Sequence, residues 1–294
     1  MQVLIIGGNG MLGHMLLRFL SRHFDTRATL RGMRQNYAHK GLFTTNNTVD
    51  NIELGPDGNC TALGNLVRQW RPEVIVNAAG VVKQRPTADD AVTTISINAL
   101  LPHKLAVMAD GIGARLIHFS TDCVFSGHQG KYSADDLPDA TDLYGRSKLL
   151  GEVHGPGCLT LRTSLVGREL AGAGGSLFEW FLSQKGPVRG FPNALFSGFT
   201  TLEMARIVHR LITKRPIEGG IWHVAARAIS KFDLLMLVKE RLGLRVEIVP
   251  DPSFRIDRSL NGTRFDRKCS YAAPDWPTMI DDYFSFLEEE GNAF

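Results

Sequence analysis

Apolar residues fall into two rhythms along the chain. Short, mainly apolar runs, Val3–Ile6, Ala28–Leu30, Val74–Val76, Leu116–Phe119 and Leu159–Leu161, read as strands, Val3–Ile6 as a buried one. Thr48–Val49 is a weaker strand candidate. Between these runs the apolar positions recur at helical spacing. Met11, Leu12, Met15, Leu16, Phe19 and Leu20 mark a helix over Met11–Arg22. Leu63–Trp70 follows and is stopped by Pro72; Ala91–Met108 is longer, with a local kink expected at Pro102; Leu143–Val153 is the last of this half. Strands alternating with helices predict parallel βαβ units: an α/β, Rossmann-type, doubly wound sheet with helices on both faces.

The rhythm loosens further on. Leu170–Ser176 is rich in Gly and Ala and reads as a loop, and Leu177–Leu182 as a short helix. Val188–Ser197, with Pro192 and two aromatic residues, reads as an irregular binding segment. Thr201–Ile212, Phe232–Leu242 and Met279–Glu289 read as amphipathic helices. The expected division is a nucleotide-binding domain over 1–164 plus about 196–228, with a smaller C-terminal substrate-binding lobe over about 165–195 and 229–294.

Composition narrows the classes. A formal charge of +3 is too small to imply a nucleic-acid partner. The cysteines, Cys60, Cys123, Cys158 and Cys269, form neither a C-x-x-C pair nor a zinc spacing, which suits a reducing compartment. The first apolar run breaks at Gly7-Gly8 after four residues, and no later run is read as reaching membrane length. The expectation is a cytoplasmic protein without membrane contact. The histidines show no ligand-like cluster, so no catalytic metal is expected.

The first strand opens into Gly7-Gly8-Asn9-Gly10-Met11-Leu12-Gly13 at the mouth of a helix. Glycines there let the backbone turn tightly and approach a pyrophosphate, and the helix N-terminus offers N–H groups to it. The predicted cofactor is therefore a nicotinamide dinucleotide. Where an NAD-binding fold carries an acidic residue for the ribose, this chain has Leu30-Arg31-Gly32-Met33-Arg34. Arg31 and Arg34 suit a 2′-phosphate, so NADP(H) is the expected preference, with NAD(H) a lesser alternative.

Tyr144 and Lys148 lie four apart, on one helix face. A free phenol titrates near ~10, and a neighbouring ammonium is expected to lower it, giving a general acid/base for a carbonyl/alcohol couple. Upstream, Leu116–Phe119 ends in Ser120-Thr121-Asp122, which places a hydroxyl at the carboxyl end of a parallel strand.

That order of motifs resembles the extended short-chain dehydrogenases/reductases, and within them the dTDP-4-dehydrorhamnose reductase branch. The resemblance spans nearly the whole chain. It rests on Gly7, Gly10 and Gly13, on Asn77-Ala78-Ala79-Gly80, on Asn98 and on Ser120 to Phe125. It continues through Asp142 to Lys148 and Leu161 to Ser164. It implies reduction of the C4 keto group of a nucleotide-activated 4-keto-6-deoxyhexose, with Thr121, Tyr144 and Lys148 as triad. It also implies that Lys148 holds the nicotinamide ribose, that Ala78–Gly80 line the cofactor with Asn77 and Ser120 nearby, and that Asp50 lies near the adenine. Asn98 would organise a water or serve only packing, and a homodimer would form through the helices of Asn98 and Tyr144.

Candidate substrate contacts are Lys83, Gln84, Thr121, Cys123, Val124, Asn193, Phe196 and Arg258, with Arg189 and Arg255 as further phosphate contacts. Cys123 stands where the reductases carry an aromatic residue and where a related dehydratase needs a glutamate. An NAD-retaining epimerase and an NADP-binding subunit without turnover are the alternatives within the same fold.

Overall fold

The computed structural model describes residues 1–37, 41–55, 60–83, 90–170 and 175–291. Six strands of the main sheet are β1 (Gln2–Ile6), β2 (Asp25–Thr29), β3 (Thr48–Val49), β4 (Val74–Asn77), β5 (Arg115–Phe119) and β6 (Cys158–Arg162). The helices between them are α1 (Met11–Leu20), α2 (Thr61–Trp70), α3 (Ala91–Ile95), α4 (Leu101–Asp110) and α5 (Leu143–Leu150). A seventh strand, Gly220–His223, completes a parallel sheet in the order β3-β2-β1-β4-β5-β6 and then Gly220–His223. The chain reverses its direction of travel across the sheet between β1 and β4, the point where a doubly wound fold opens its ligand crevice.

Alternation within the strands explains the two cores. Val3 and Ile5 of β1 point into one apolar cluster with α1 and the helices Thr201–Lys214 and Trp276–Glu289. Leu4 and Ile6 point into the other with Leu63 and Val67 of α2 and Leu101 and Leu105 of α4. A strand buried on both faces has to be apolar at every position, which is why it reads as an unbroken run.

Several boundaries differ from the expectation. The segment Val188–Ser197 is not irregular: Val188–Gly190 pairs with Ile248–Pro250, and Ala194–Phe196 pairs with Ile229–Ser230 and Ile256–Asp257. Those partners lie far along the chain, beyond the reach of local periodicity. The same holds for the edge strand Gly220–His223, and the short helix Thr263–Cys269 was also not expected. Of the loop expected at Leu170–Ser176, residues 171–174 lie outside the described residues.

The distortion expected at Pro102 sits one turn earlier, as a π-helical turn, Ser96–Leu100, between α3 and α4. Proline has no N–H to return to the preceding turn, and widening that turn absorbs the mismatch. Gly151, just past α5, packs on this distorted segment: a Cβ there would lie 2.0 Å from the Asn98 carbonyl oxygen. Ala91–Asp110 as a whole is long and apolar enough to cross a membrane, which corrects the reading that no run reaches that length. Its Leu101, Leu105 and Ala109 are buried in the second core.

Candidate active site

The glycine loop leaves β1 through Gly7, whose φ of +86° favours glycine. Its N–H donates to Thr29 Oγ1 at 3.1 Å, and Gly8 N–H donates to the Thr29 carbonyl at 2.8 Å, so β2 fixes the turn. α1 starts at Met11 with Gly10 as a cap that offers no side-chain acceptor. Its first-turn N–H groups are left for a ligand, as an anion site requires. A Cβ at Gly13 would fall 2.0 Å from the Gly7 oxygen, whereas one at Gly10 would sit 3.3 Å from it and fill the cradle. The Leu12 side chain belongs to the core, so only its backbone is available to a cofactor.

Ala78, Ala79 and Gly80 line the opposite bank, close enough that a Cβ at Gly7 would meet Ala79 at 3.0 Å. Asn77 is fully buried; its Oδ1 accepts from Ala79 N–H at 3.2 Å and its Nδ2 donates to His118 Nδ1 at 3.1 Å. It shapes this bank from beneath. Asn98 is fully engaged in bracing. Its Oδ1 accepts from Val81 N–H (2.9 Å), and its Nδ2 donates to the Val81 carbonyl (2.9 Å) and to Ser147 Oγ (3.3 Å).

Beyond β2, Arg31 is exposed but Arg34 is not free in solvent. Arg34 Nε donates to Asp50 Oδ2 at 2.8 Å, while its second guanidinium nitrogen and Asp50 Oδ1 are buried without a hydrogen-bond partner. Buried polar atoms are rarely left unpaired: the guanidinium nitrogen suits a 2′-phosphate oxygen, and the carboxylate oxygen suits a ribose hydroxyl. The cradle and these two atoms fit a nicotinamide dinucleotide phosphate.

At the end of β5, Thr121 caps a 3₁₀ turn, Asp122–Val124, by accepting from Cys123 N–H at 3.1 Å. α5 is capped by Asp142, which accepts from Gly145 N–H at 2.8 Å. Gly145 lets the helix approach closely, since a Cβ there would lie 2.3 Å from the Cys123 carbonyl oxygen. Tyr144 and Thr121 are thereby brought together, and the Thr121 hydroxyl, which donates to Asp122 Oδ1 at 3.1 Å, lies close enough to act on the phenol. Lys148, one turn on, is buried and donates to the Phe119 carbonyl at 2.5 Å. The hydroxyl of Ser120 is engaged below the cleft, donating to Glu152 Oε1 at 2.7 Å.

The electrostatics correct one expectation. Burial pushes the Tyr144 phenol above its ordinary value, Cys123, Asp122 and Asp142 add to that, and only the Thr121 hydrogen bond opposes it. The Lys148 amine is turned to the Phe119 carbonyl, and burial dominates the state of the phenol. Burial in turn lowers Lys148 to about 8, with Glu152 opposing the drop. Desolvation outweighs the charge pair that residue spacing suggested.

Around this pair the structure gathers Lys83, Cys123 and Arg258. Lys83 pairs with Asp142 at 2.7 Å and lies 5.6 Å over the Tyr144 ring. Burial raises the Cys123 thiol to about 12, so it is a small neutral wall. Arg258 donates from Nε to the Phe125 carbonyl at 3.0 Å and acts on the buried Asp122. Lys231, which the sequence did not single out, lies within electrostatic reach of Asp122, Arg258 and Cys123.

Two expected substrate contacts are core residues instead. Val124 is fully buried against Phe125 and Tyr132, and Phe196 is buried with its ring 5.4 Å from Trp276. Asn193 is tied to the Pro252 carbonyl at 3.0 Å, Arg255 is exposed, and Arg189 is exposed beside Asp251. Gln84 lies outside the described residues.

A buried ion pair, also not anticipated, lies under the site: Arg162 grips Glu152 through Nε at 2.7 Å and a second nitrogen at 2.8 Å. Removing one partner of such a pair costs about 3–5 kcal/mol, because the other is left charged and dry. Its signal was present in the spacing, since Tyr144, Lys148 and Glu152 succeed one another at intervals of four.

Residues 1–261 match the family described as RmlD substrate binding domain. The chain belongs to that family. Among curated relatives, a dTDP-4-dehydrorhamnose reductase of Shigella flexneri is 27% identical over 261 residues, covering 79% of this chain and 86% of that protein. Methionine adenosyltransferase 2 subunit beta of Danio rerio is 31% identical over 171 residues, covering 56% of this chain. The match spans about half (48%) of that subunit's length. A solved dTDP-4-dehydrorhamnose reductase of Bacillus anthracis, in complex with NADP, superposes with a TM-score of 0.77 at 19% identity, covering 97% of this chain and 99% of the other. That likeness establishes the Rossmann-type fold.

Proposed function

We propose that this chain is an NADPH-dependent reductase acting on the C4 keto group of a nucleotide-activated 4-keto-6-deoxyhexose. The observation that carries the reading is the meeting of Thr121, Tyr144 and Lys148 at the end of β5, beside the crevice that the glycine loop opens. When bound, a reduced nicotinamide supplies the reducing equivalents. A phenol raised by burial stays protonated at neutral pH, which is the form needed to donate a proton to the C4 oxygen. Thr121 gives that oxygen a hydrogen bond, and the Lys148 charge stabilises it as negative charge develops. Lys83, Arg258 and Lys231 supply the positive field for a diphosphate. The substrate lobe of this reading comprises about 165–195 and 229–294, folded against a nucleotide-binding domain of 1–164 plus about 196–228. The four free cysteines suit work in the cytoplasm.

A panel of nucleoside-diphosphate 4-keto-6-deoxy sugars, mixed with the purified protein and NADPH, tests this by loss of dihydronicotinamide absorbance. Consumption is expected with at least one sugar. Tightly retained NAD with no consumption would favour an epimerase instead. In the same preparation, Arg34→Ala is expected to weaken NADPH by about tenfold or more, the scale of one charge-assisted contact, and to spare NADH. Equal loss for both would assign Arg34 to the Asp50 pair alone.

The reading includes a homodimer. Val92, Ile95, Leu100, Val107 and Leu150 form an exposed apolar face on α3, the π turn, α4 and the end of α5, with Val107 74% and Leu150 65% exposed. A second copy of the same face is the occupant that a closed two-fold pairing supplies. Val107→Glu is expected to convert a dimer to a monomer by light scattering; a monomeric parent would refute the pairing.

A further inference from the structure

A chain of buried polar groups runs from the catalytic strand end to the far side of β6. Two residues beyond α5, Glu152 accepts from Ser120 Oγ at 2.7 Å with the same oxygen that accepts from Arg162 Nε at 2.7 Å. Its second oxygen accepts from Arg162 at 2.8 Å. Arg162 ends β6, and its remaining nitrogen donates to His223 Nε2 at 3.2 Å. His223 Nδ1 in turn donates to the Tyr132 carbonyl at 3.1 Å, which fixes a neutral tautomer between its two partners. The ion pair is almost fully enclosed, with side-chain exposures of 7% and 3%.

Lys148 and Glu152 hold neighbouring residues. The amine bonds the Phe119 carbonyl, the carboxylate bonds the Ser120 hydroxyl, and Thr121 comes next. We infer that Glu152, braced by Arg162, is a positioning residue of the active site: it anchors the strand end that carries Thr121 and places a carboxylate one turn past Lys148. The inference rests on the reading of Thr121, Tyr144 and Lys148 as the reacting triad. Arg162 also gives this carboxylate a partner in a dry interior. Its bidentate grip satisfies both oxygens.

The other titratable groups around Lys148 do not substitute for this charge. On its own helix Tyr144 is a protonated phenol. His118 on β5 and His223 on the edge strand are both held neutral by burial, and His103 on α4 faces His118. Glu152 is the carboxylate that raises Lys148 against its burial.

The test is a pH titration of the Lys148 amine by NMR in the full unliganded chain carrying Cε-labelled lysine, the signal being assigned by its loss in Lys148→Arg. The parent midpoint is expected near 8. Glu152→Gln keeps the size of the side chain and removes its charge, and is expected to lower the midpoint by about one pH unit or more. Glu152→Asp is expected to restore most of it. The basic limb of the reductase pH profile is expected to move by the same amount in each variant.

A folded Glu152→Gln protein with the parent midpoint would overturn the inference. Should that variant not fold, Ser120→Ala frees the strand end from Glu152 while keeping both buried charges, and hydrogen exchange at the Thr121 amide equal to that of the parent overturns it equally. Absence of turnover in the parent counts against the reductase reading alone, because the titration needs neither cofactor nor sugar nucleotide.

Discussion

Replacing Tyr144 by Phe lowers kcat for reduction by about 10²–10⁴-fold, the usual contribution of a positioned proton donor. The ring itself stays where it is, under the Lys83 ammonium, so the cleft keeps its shape. What is lost is the hydroxyl that meets Thr121. The loss of one net hydrogen bond costs about 1 kcal/mol of stability, too little to unfold a chain of this size. NADPH affinity, followed by fluorescence titration, stays at the parent value, because the glycine loop and Arg34 are untouched. A variant that turned over at the parent rate would remove Tyr144 from the chemistry.

The second large effect comes from a methyl group. Gly13→Ala is expected to abolish measurable NADPH binding and to lower stability by about 1–3 kcal/mol, read from the urea midpoint. The new Cβ would lie 2.0 Å from the Gly7 oxygen and 3.0 Å from the Gly8 Cα, so backbone has to move, and the loop moves with it. Gly10→Ala separates the two roles. There the nearest atom is 3.3 Å away, so the fold is expected to tolerate the methyl while the cradle for the phosphates is filled. Equal stability of the two variants would contradict this division.

Much of the fold was legible because a doubly wound sheet writes itself locally. Each central strand is mostly apolar, as in β1, β4 and β5, and each helix repeats its buried face, as α1 does from Leu12 to Leu20. The strands that escaped notice are short, and their partners lie tens of residues away, as with Ala194–Phe196 and Ile229–Ser230. The glycine loop and the Tyr144/Lys148 spacing were readable because geometry forces those residue types. The state of the phenol was not. It depends on how many atoms enclose it, and that number exists only once α5 has docked on the Cys123 carbonyl through Gly145. Val124 and Phe196 failed as substrate contacts for a related reason: an apolar residue beside a motif carries no mark of which way it faces.

The contact between Gly151 and the Asn98 carbonyl has a mechanical consequence. The backbone of Gly151 is ordinary right-handed helix, φ −85° and ψ 0°, so any residue satisfies its angles, and only volume restricts the position. A larger residue there acts as a wedge between two rods, hinged less than one helical turn, about 5 Å, from Lys148. Prying the rods apart swings the amine off the Phe119 oxygen, so a site with no polar atom and no ligand contact governs the alignment of the catalytic face.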